Sequence, residues 1–471
     1  MCGVAGVYGV ERPLGALIGM MDALQYRGGQ GSGVALIQND GLHFYRRVAD
    51  ELSELARGDD FCDSQDRSYI AGIGHLRYGT AGTRRLLANT QPFYGKTFFG
   101  DVYVGHNGDT PFFASERSQL LAKGAAMVSD CDSELFLHYI GEATGRGTLE
   151  AVKKGLEQYP GTYALTILVQ DREGVRLILA RDPSGNRPLS LGKLGRGFIS
   201  ASEDSAFEAV GGTKVREINP GEMLVIADSG ETSYALCPVR PLKKKMAKCV
   251  FENIYFSFPN SEVFDMPVAG FRESLGEVAA SHSGHLVSKG DIIANVPDSS
   301  NAFADGFCRR LVLPLERIFI RRHMTRSFTK ESDERRDETV RRKFSINHRR
   351  VKGKRIWLLD DSIVRGVTSR RLIRVLRNAG ASWVGVVISC PPIVGPCGKG
   401  MDFSADGLIA RKHLVGKDRV NIEAIKEYIG ADALYYNSDE DVRAVIRELG
   451  GNPDHFCFGC FENIEPIWGA W

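Results

Sequence analysis

The chain has 471 residues, 43% hydrophobic and 25% charged, with 60 Lys and Arg against 58 Asp and Glu. This is the composition of an ordinary globular protein too long for one core, so two domains are expected. A net charge of +2 argues against a polyanionic partner. The apolar runs are strand-sized, so neither a membrane span nor a secretory signal is expected.

In chain order, residues 2–10 alternate with glycine and read as a first strand. Leu14, Leu17, Ile18, Met21 and Leu24 follow at helical spacing behind Pro13. Strands are expected at Tyr69–Gly72, Val102–Gly105, Ala164–Gln170 and Arg176–Ala180, with a helix at Ser133–Glu142. Beyond about residue 265 the pattern becomes strand–loop–helix. Ile292–Val296 runs into Pro297-Asp298-Ser299, and Ile356–Leu359 runs into Asp360-Asp361. A helix carrying Leu372, Val375, Leu376 and Ala379 ends at Gly380, and Val384–Ser389 is the next strand. The first half thus predicts an α+β layered domain with antiparallel strands, the second an α/β domain on a mostly parallel sheet. The boundary is expected in the Pro238–Lys248 stretch, giving domains at 2–240 and 241–471.

Two local features carry chemistry. Cys2 stands directly behind Met1. Removal of that methionine by an ordinary aminopeptidase would give one residue both a thiol and an α-amine. The amine has an ordinary pKa near ~8, so part of it is neutral at pH 7 and can accept the thiol proton. The alternative is a plain buried thiol. The second feature is the run from Leu358 to Ser369, where a strand delivers Asp360, Asp361 and Ser362, then Arg365, Gly366, Thr368 and Ser369 at a helix N-terminus. Free N–H groups and the helix dipole suit a phosphate, and paired carboxylates suit ribose hydroxyls or hydrated Mg²⁺. The alternative is a structural acidic turn capped by Thr368 or Ser369.

That loop resembles the phosphoribosyl pyrophosphate (PRPP) loop of type I phosphoribosyltransferases. With it in hand, nearly the whole chain resembles the glutamine PRPP amidotransferases. Gln25-Tyr26-Arg27-Gly28, the Gly74–Thr80 run, His106-Asn107-Gly108, Asp132-Ser133-Glu134 and the Asp182–Leu189 run match the class II glutaminase half. Arg272–Gly276, Val296–Ser299, Val340–Phe344 and the PRPP loop match the transferase half. The resemblance implies an N-terminal-nucleophile glutaminase of stacked antiparallel sheets between helices, joined to a phosphoribosyltransferase domain. It implies Cys2 as nucleophile, with the Asn107 side chain and the Gly108 N–H as oxyanion donors. Each donor would be worth roughly 3–4 kcal/mol. Arg27, Arg77, Thr80 and Asp132 would bind glutamine, with Arg77 on the α-carboxylate and Asp132 on the α-ammonium. Asp298, Ser299, Asp360, Asp361, Ser362, Arg365, Gly366, Thr368 and Ser369 would hold PRPP and Mg²⁺. Ammonia would pass internally between the sites, giving phosphoribosylamine, glutamate and pyrophosphate, the first step of purine synthesis.

Ten cysteines are too few for a disulfide scaffold and are expected to stay reduced in the cytoplasm. The Cys457-x-x-Cys460 pair is a metal signal by itself. By resemblance to cluster-bearing relatives, Cys249 and Cys397 complete a [4Fe–4S] ligand set, with a zinc site as competitor and Cys390 as an alternative ligand. Those relatives usually carry a short propeptide, whereas only Met1 precedes Cys2 here.

The transferase half also departs from the family pattern. Ser300 stands where the pyrophosphate loop has glycine, Val367 where the PRPP loop has its first threonine, and the closing loop reads Ile320-Arg321-Arg322-His323. These departures motivate two further readings, a paralogue aminating another phosphosugar or nucleotide and a PRPP-sensing binding module. Residues 321–355 hold 14 Lys and Arg against 5 Asp and Glu but few aromatics, so phosphate gripping is expected rather than nucleic-acid binding. The expected partners are glutamine, PRPP and further copies of the chain, as a dimer or tetramer.

Overall fold

Residues 3–235 fold into two antiparallel sheets laid face to face in a computed structural model. It describes residues 1–38, 40–58, 61, 68–79, 85–98, 100–143, 147–321, 344–401, 403–416 and 419–469. One sheet has seven strands, in the order Thr213–Glu217, Ser190–Leu194, Gly197–Ala201, Gly3–Tyr8, Tyr69–Leu76, Ser32–Gln38, His43–Val48. The other has six, in the order Gly230–Ala235, Glu222–Ala227, Gly174–Arg181, Thr162–Asp171, Gly100–Asp109, Phe93–Lys96.

Side-chain alternation explains the layering. Along the first strand Val4 and Tyr8 join Ala164, Leu168, Leu177 and Leu179 in the core between the sheets. Ala5 and Val7 face the other way, against Leu14, Leu17 and Met21 of the helix Pro13–Ala23. The outer face of the six-stranded sheet packs on helices Leu135–Glu142 and Thr148–Gln158. The result is the helix–sheet–sheet–helix stack expected of an N-terminal-nucleophile glutaminase. Because both faces of Gly3–Tyr8 are covered, every residue of it is buried. The helix expected from Ser133 begins instead with a 3₁₀ turn, Asp132–Glu134, and turns α-helical at Leu135.

The second half is a four-stranded parallel sheet, in the order Ile292–Asn295, Arg355–Asp360, Trp383–Ile388, Ala433–Tyr436. Helix Val268–Ser283 packs on Asn301–Leu311 and Asp439–Glu448, and Val367–Asn378 packs on Ile422–Ile429. Strands and helices share one apolar core containing Leu358, Leu372, Val386 and Val445. The Pro238–Lys248 stretch is pinned by backbone bonds. Val239 N–H donates to Glu157 O (2.8 Å), Lys243 N–H to Ile467 O (2.7 Å) and Ala247 N–H to Ser184 O (2.8 Å). Lys248–Cys249 then pairs in parallel with Phe456–Cys457. Among the described residues no helix is long and apolar enough to cross a membrane.

Candidate active sites

Sheet register places the first site. Gly3 is paired with Leu76 in an antiparallel ladder, so Cys2 lies beside the Arg77–Tyr78 backbone. The Cys2 Sγ accepts the Tyr78 N–H at 3.4 Å and faces the Tyr78 carbonyl at 3.7 Å. The neighbouring turn is stitched on: Arg77 N–H donates to Gly31 O (2.7 Å), Gln30 N–H to Arg77 O (3.1 Å) and Gly79 N–H to Gln30 Oε1 (2.7 Å). Arg27 donates through Nε to the Cys2 carbonyl at 3.1 Å.

The second sheet brings the oxyanion loop to the same place. His75 Nε2 donates to the His106 carbonyl at 3.0 Å, which ties the two sheets together one residue before Asn107. Asn107 and Gly108 lie on the strand Gly100–Asp109, opposite Ala164 and Tyr163. A Cβ at Gly108 would stand 2.0 Å from Thr162 O and 2.4 Å from His106 Nε2, so only glycine fits. Asn107 is buried, and its Nδ2 has no hydrogen-bond partner among the described residues. Such a donor is expensive to leave unspent unless a ligand takes it.

Arg77 and Asp132 are both buried, and Cys131 stands between them. Arg77 Nη1 donates to Cys131 Sγ at 3.4 Å, and the Cys131 thiol faces Asp132 Oδ1 at 3.6 Å. His106 Nδ1 accepts from Ser133 Oγ (2.8 Å) while its Nε2 donates to Thr162 O (3.1 Å). Burial holds both imidazoles neutral, lowering His75 to about 3 and His106 below its ordinary value. Cys2, Arg27, Arg77, Asn107, Gly108 and Asp132 thus gather round one site. Thr80 lies outside the described residues. Sequence reasoning gave no role to Tyr159, which hydrogen-bonds Asp132 from the far end of the next helix.

The second site forms where two loops leave the parallel sheet. Ser299 Oγ donates to Asp361 Oδ2 at 2.5 Å and Ser362 Oγ to Asp361 Oδ1 at 2.7 Å, so Asp361 joins the Asp298 loop to the Asp360 loop. Burial and the neighbouring Asp361 push the Asp360 carboxyl well up. Burial also raises Asp361, with the two serine hydroxyls and Arg272 opposing. Two adjoining carboxyls that resist joint ionisation form a donor set for a divalent cation. Gly366 adopts φ 72° where the turn enters the helix Val367–Asn378. A Cβ there would meet Ile409 and Tyr428 at 2.9 and 3.0 Å. No side chain caps that helix, and its first internal bond runs from Arg370 N–H to Gly366 O (3.0 Å). The N–H groups of Val367, Thr368 and Ser369 therefore open onto the turn.

Ser300, where the family pattern has glycine, is accommodated without a positive φ. It sits at φ −90°, buried, at the start of helix Asn301–Leu311, with its hydroxyl bonded to Val296 O. Of the closing loop, Ile320 is exposed on the hairpin strand Phe319–Arg321, and residues 322–343 lie outside the described residues.

Cys249, Cys397, Cys457 and Cys460 lie in one neighbourhood. Cys249 and Cys457 are register partners, Val394 and Gly395 N–H both donate to Cys460 O (2.9 and 2.8 Å), and Cys397 N–H donates to Phe403 O (3.1 Å). Cys460 lies in the electrostatic field of Cys397, Cys457 and Cys249, and more weakly in that of Cys390. Burial pushes the Cys249 thiol up to about 12 and raises Cys457 and Cys460. Arg187 and Lys399 face this neighbourhood, and both are raised by its thiols. Among the described residues no three His, Cys, Asp or Glu side chains already stand as a metal-ligand group.

The chain is similar to known proteins over nearly its whole length. Residues 82–209 match the glutamine amidotransferase domain family. An amidophosphoribosyltransferase of Bacillus subtilis is 34% identical over 470 residues, covering 99% of this chain and 94% of that protein. The chloroplastic amidophosphoribosyltransferase 1 of Arabidopsis thaliana is 33% identical over 472 residues, covering 99% and 78%. The solved structure of the B. subtilis glutamine PRPP amidotransferase, complexed with ADP and GMP, superposes with a TM-score of 0.87 at 33% identity, covering 99% and 97% of the two chains.

Proposed function

The chain belongs to the amidophosphoribosyltransferase family of glutamine amidotransferases, and we propose that it runs that family's reaction with the residues gathered above. Arg77 grips the α-carboxylate of glutamine and Asp132 its α-ammonium, which presents the side-chain amide to Cys2. The thiol proton passes to the α-amine of the processed N-terminus as sulfur attacks the amide carbon. Asn107 Nδ2 and Gly108 N–H hold the oxyanion, ammonia leaves, and water hydrolyses the thioester to glutamate. The unspent Asn107 Nδ2 is the observation that carries this assignment.

In the second half, Val367–Ser369 N–H groups, Thr368 and Ser369 receive the 5-phosphate of PRPP, and Arg365 adds a cation. Ammonia attacks C1 as pyrophosphate departs from the opposite face. Asp298, Asp360 and Asp361 would hold Mg²⁺, which neutralises charge on the leaving pyrophosphate. Cys249, Cys397, Cys457 and Cys460 would hold a [4Fe–4S] cluster, whose part in a reaction without electron transfer is structural. The fit is one of position: Cys249 and Cys457 are register partners, and Cys460 lies in the field of Cys397, Cys457 and Cys249. We place the division between the halves at residue 240 and the protein in the cytoplasm as a homo-oligomer. The free cysteines suit a reducing compartment.

The test is glutamate and pyrophosphate release by anaerobically purified protein with glutamine and Mg²⁺, with and without PRPP. Both products are expected one-to-one, and only with PRPP. Glutamate without pyrophosphate would mean that PRPP is not the acceptor.

A further inference from the structure

A cluster of four fully buried charges joins the two halves behind Cys2. It consists of Arg27, Arg187, Glu203 and Glu252, each no more than 1% exposed. Arg27 spends one arm on Glu203 and turns Nη2 to both oxygens of Glu252, at 3.0 and 3.1 Å. Its remaining donor, Nε, holds the Cys2 carbonyl. Glu252 also takes Arg187 Nη1 at 3.4 Å and the Ser257 hydroxyl at 3.2 Å. Arg187 bonds onward to Lys399 O, two residues from Cys397. Glu203 is fixed from the second half by Phe258 N–H and Ser261 Oγ, both at 2.7 Å.

Burying four charges is costly, and for stability alone apolar residues of similar size would serve as well. What apolar residues cannot do is set the direction of a guanidinium. A planar fork held on two sides by carboxylates has one orientation left for its third donor, and that donor meets the peptide carbonyl of the nucleophile.

We propose that Glu252 is a positioning residue for glutamine hydrolysis, aiming Arg27 at the Cys2 carbonyl from the transferase half while Arg187 fixes its other side. The proposal rests on Cys2 being the glutaminase nucleophile. It makes the seat of that nucleophile dependent on the Glu252–Phe256 turn, so the glutaminase half alone is incomplete.

The test compares E252Q and E252D with the unaltered full-length protein. Glutamine-supported and ammonium-supported pyrophosphate release are both measured, with kcat and KM separated for the glutamine reaction. In E252Q, kcat for glutamine is expected to fall about 100-fold at little change in KM, the size of loss that misplacing a reacting group brings. Ammonium-supported release persists. E252D, which keeps the charge, restores part of the glutamine rate. Unchanged glutamine activity in E252Q overturns the proposal. So does equal loss of both activities in E252Q and E252D, which would mark Glu252 as merely structural. If the unaltered protein releases pyrophosphate from ammonium but none from glutamine, the fault lies instead with Cys2 as nucleophile.

Discussion

Tyr159 donates its hydroxyl hydrogen to Asp132 Oδ2 over 2.9 Å, while its ring stacks on Phe136 with centroids 3.9 Å apart. Burial and the adjacent carboxylate raise the phenol well above its ordinary value, so it remains a donor at every working pH. The Asp132 carboxylate is thereby fixed through Oδ2.

Tyr159→Phe keeps the stacking and deletes only that bond. A hydrogen bond to a charged group contributes about 1.5–3 kcal/mol. With Asp132 assigned to the substrate ammonium rather than the reacting amide, as proposed, the loss is expected to fall on binding. Steady-state kinetics are expected to show KM for glutamine raised about 10-fold, with kcat within a factor of about two. A fall in kcat at unchanged KM would contradict this role.

Asn107→Ala removes the donor that has no partner among the described residues. An oxyanion donor acts on the transition state, so kcat for glutamine hydrolysis should fall about 100- to 1000-fold with KM little changed. Thermal stability should stay level or rise, because an unsatisfied buried amide is removed. A destabilised variant would show instead that the amide has a structural partner.

The Asp360–Asp361 pair predicts a pH dependence with a definite sign. Both carboxyls are raised in the folded chain, chiefly by burial. A carboxyl raised by folding contributes stability that is fully present below its ordinary value and is lost as pH rises through the folded value. The metal-free protein should therefore melt at higher temperature as pH is lowered through that range, and Asp361→Asn should flatten the trend. Binding of Mg²⁺ with PRPP should release protons, since the metal favours the ionised pair. Calorimetry in buffers of different ionisation enthalpy reads this directly, and proton uptake would contradict it.

Cys460→Ser tests the cysteine centre. Anaerobically purified protein is expected to contain iron and acid-labile sulfide in equal amounts with broad visible absorbance, and the variant should lose all three together. Zinc without sulfide would assign the centre to the competing ion. The variant should also unfold at lower temperature, because a bound metal centre stabilises the folded chain and is lost with its ligand.

Much of the site was legible because its chemistry is local. The Asp360–Ser369 run contains its own strand end, acidic pair, positive-φ glycine and helix start, so its form follows from neighbours along the chain. Cys2 was legible from position, and the alternating apolar runs gave the layered class of each half. Ser300 shows the limit of such reading. Its exchange for glycine says nothing of where the hydroxyl goes, and the fold bonds it to Val296 O with the backbone at φ −90°.

Glu252 and Arg187 lay beyond it for a different reason. A lone glutamate in the aromatic run after Cys249 was the only signal, and nothing near it in sequence names a partner. Arg27 lies 225 positions away and Arg187 65, and they meet only after both sheets and the pinned Pro238–Lys248 stretch have closed. Sequence by itself determined which chemical groups the chain carries and the short-range turns that present them. Tertiary structure alone decided which buried charge faces which, because that depends on sheet register and domain contact rather than on residue type or spacing.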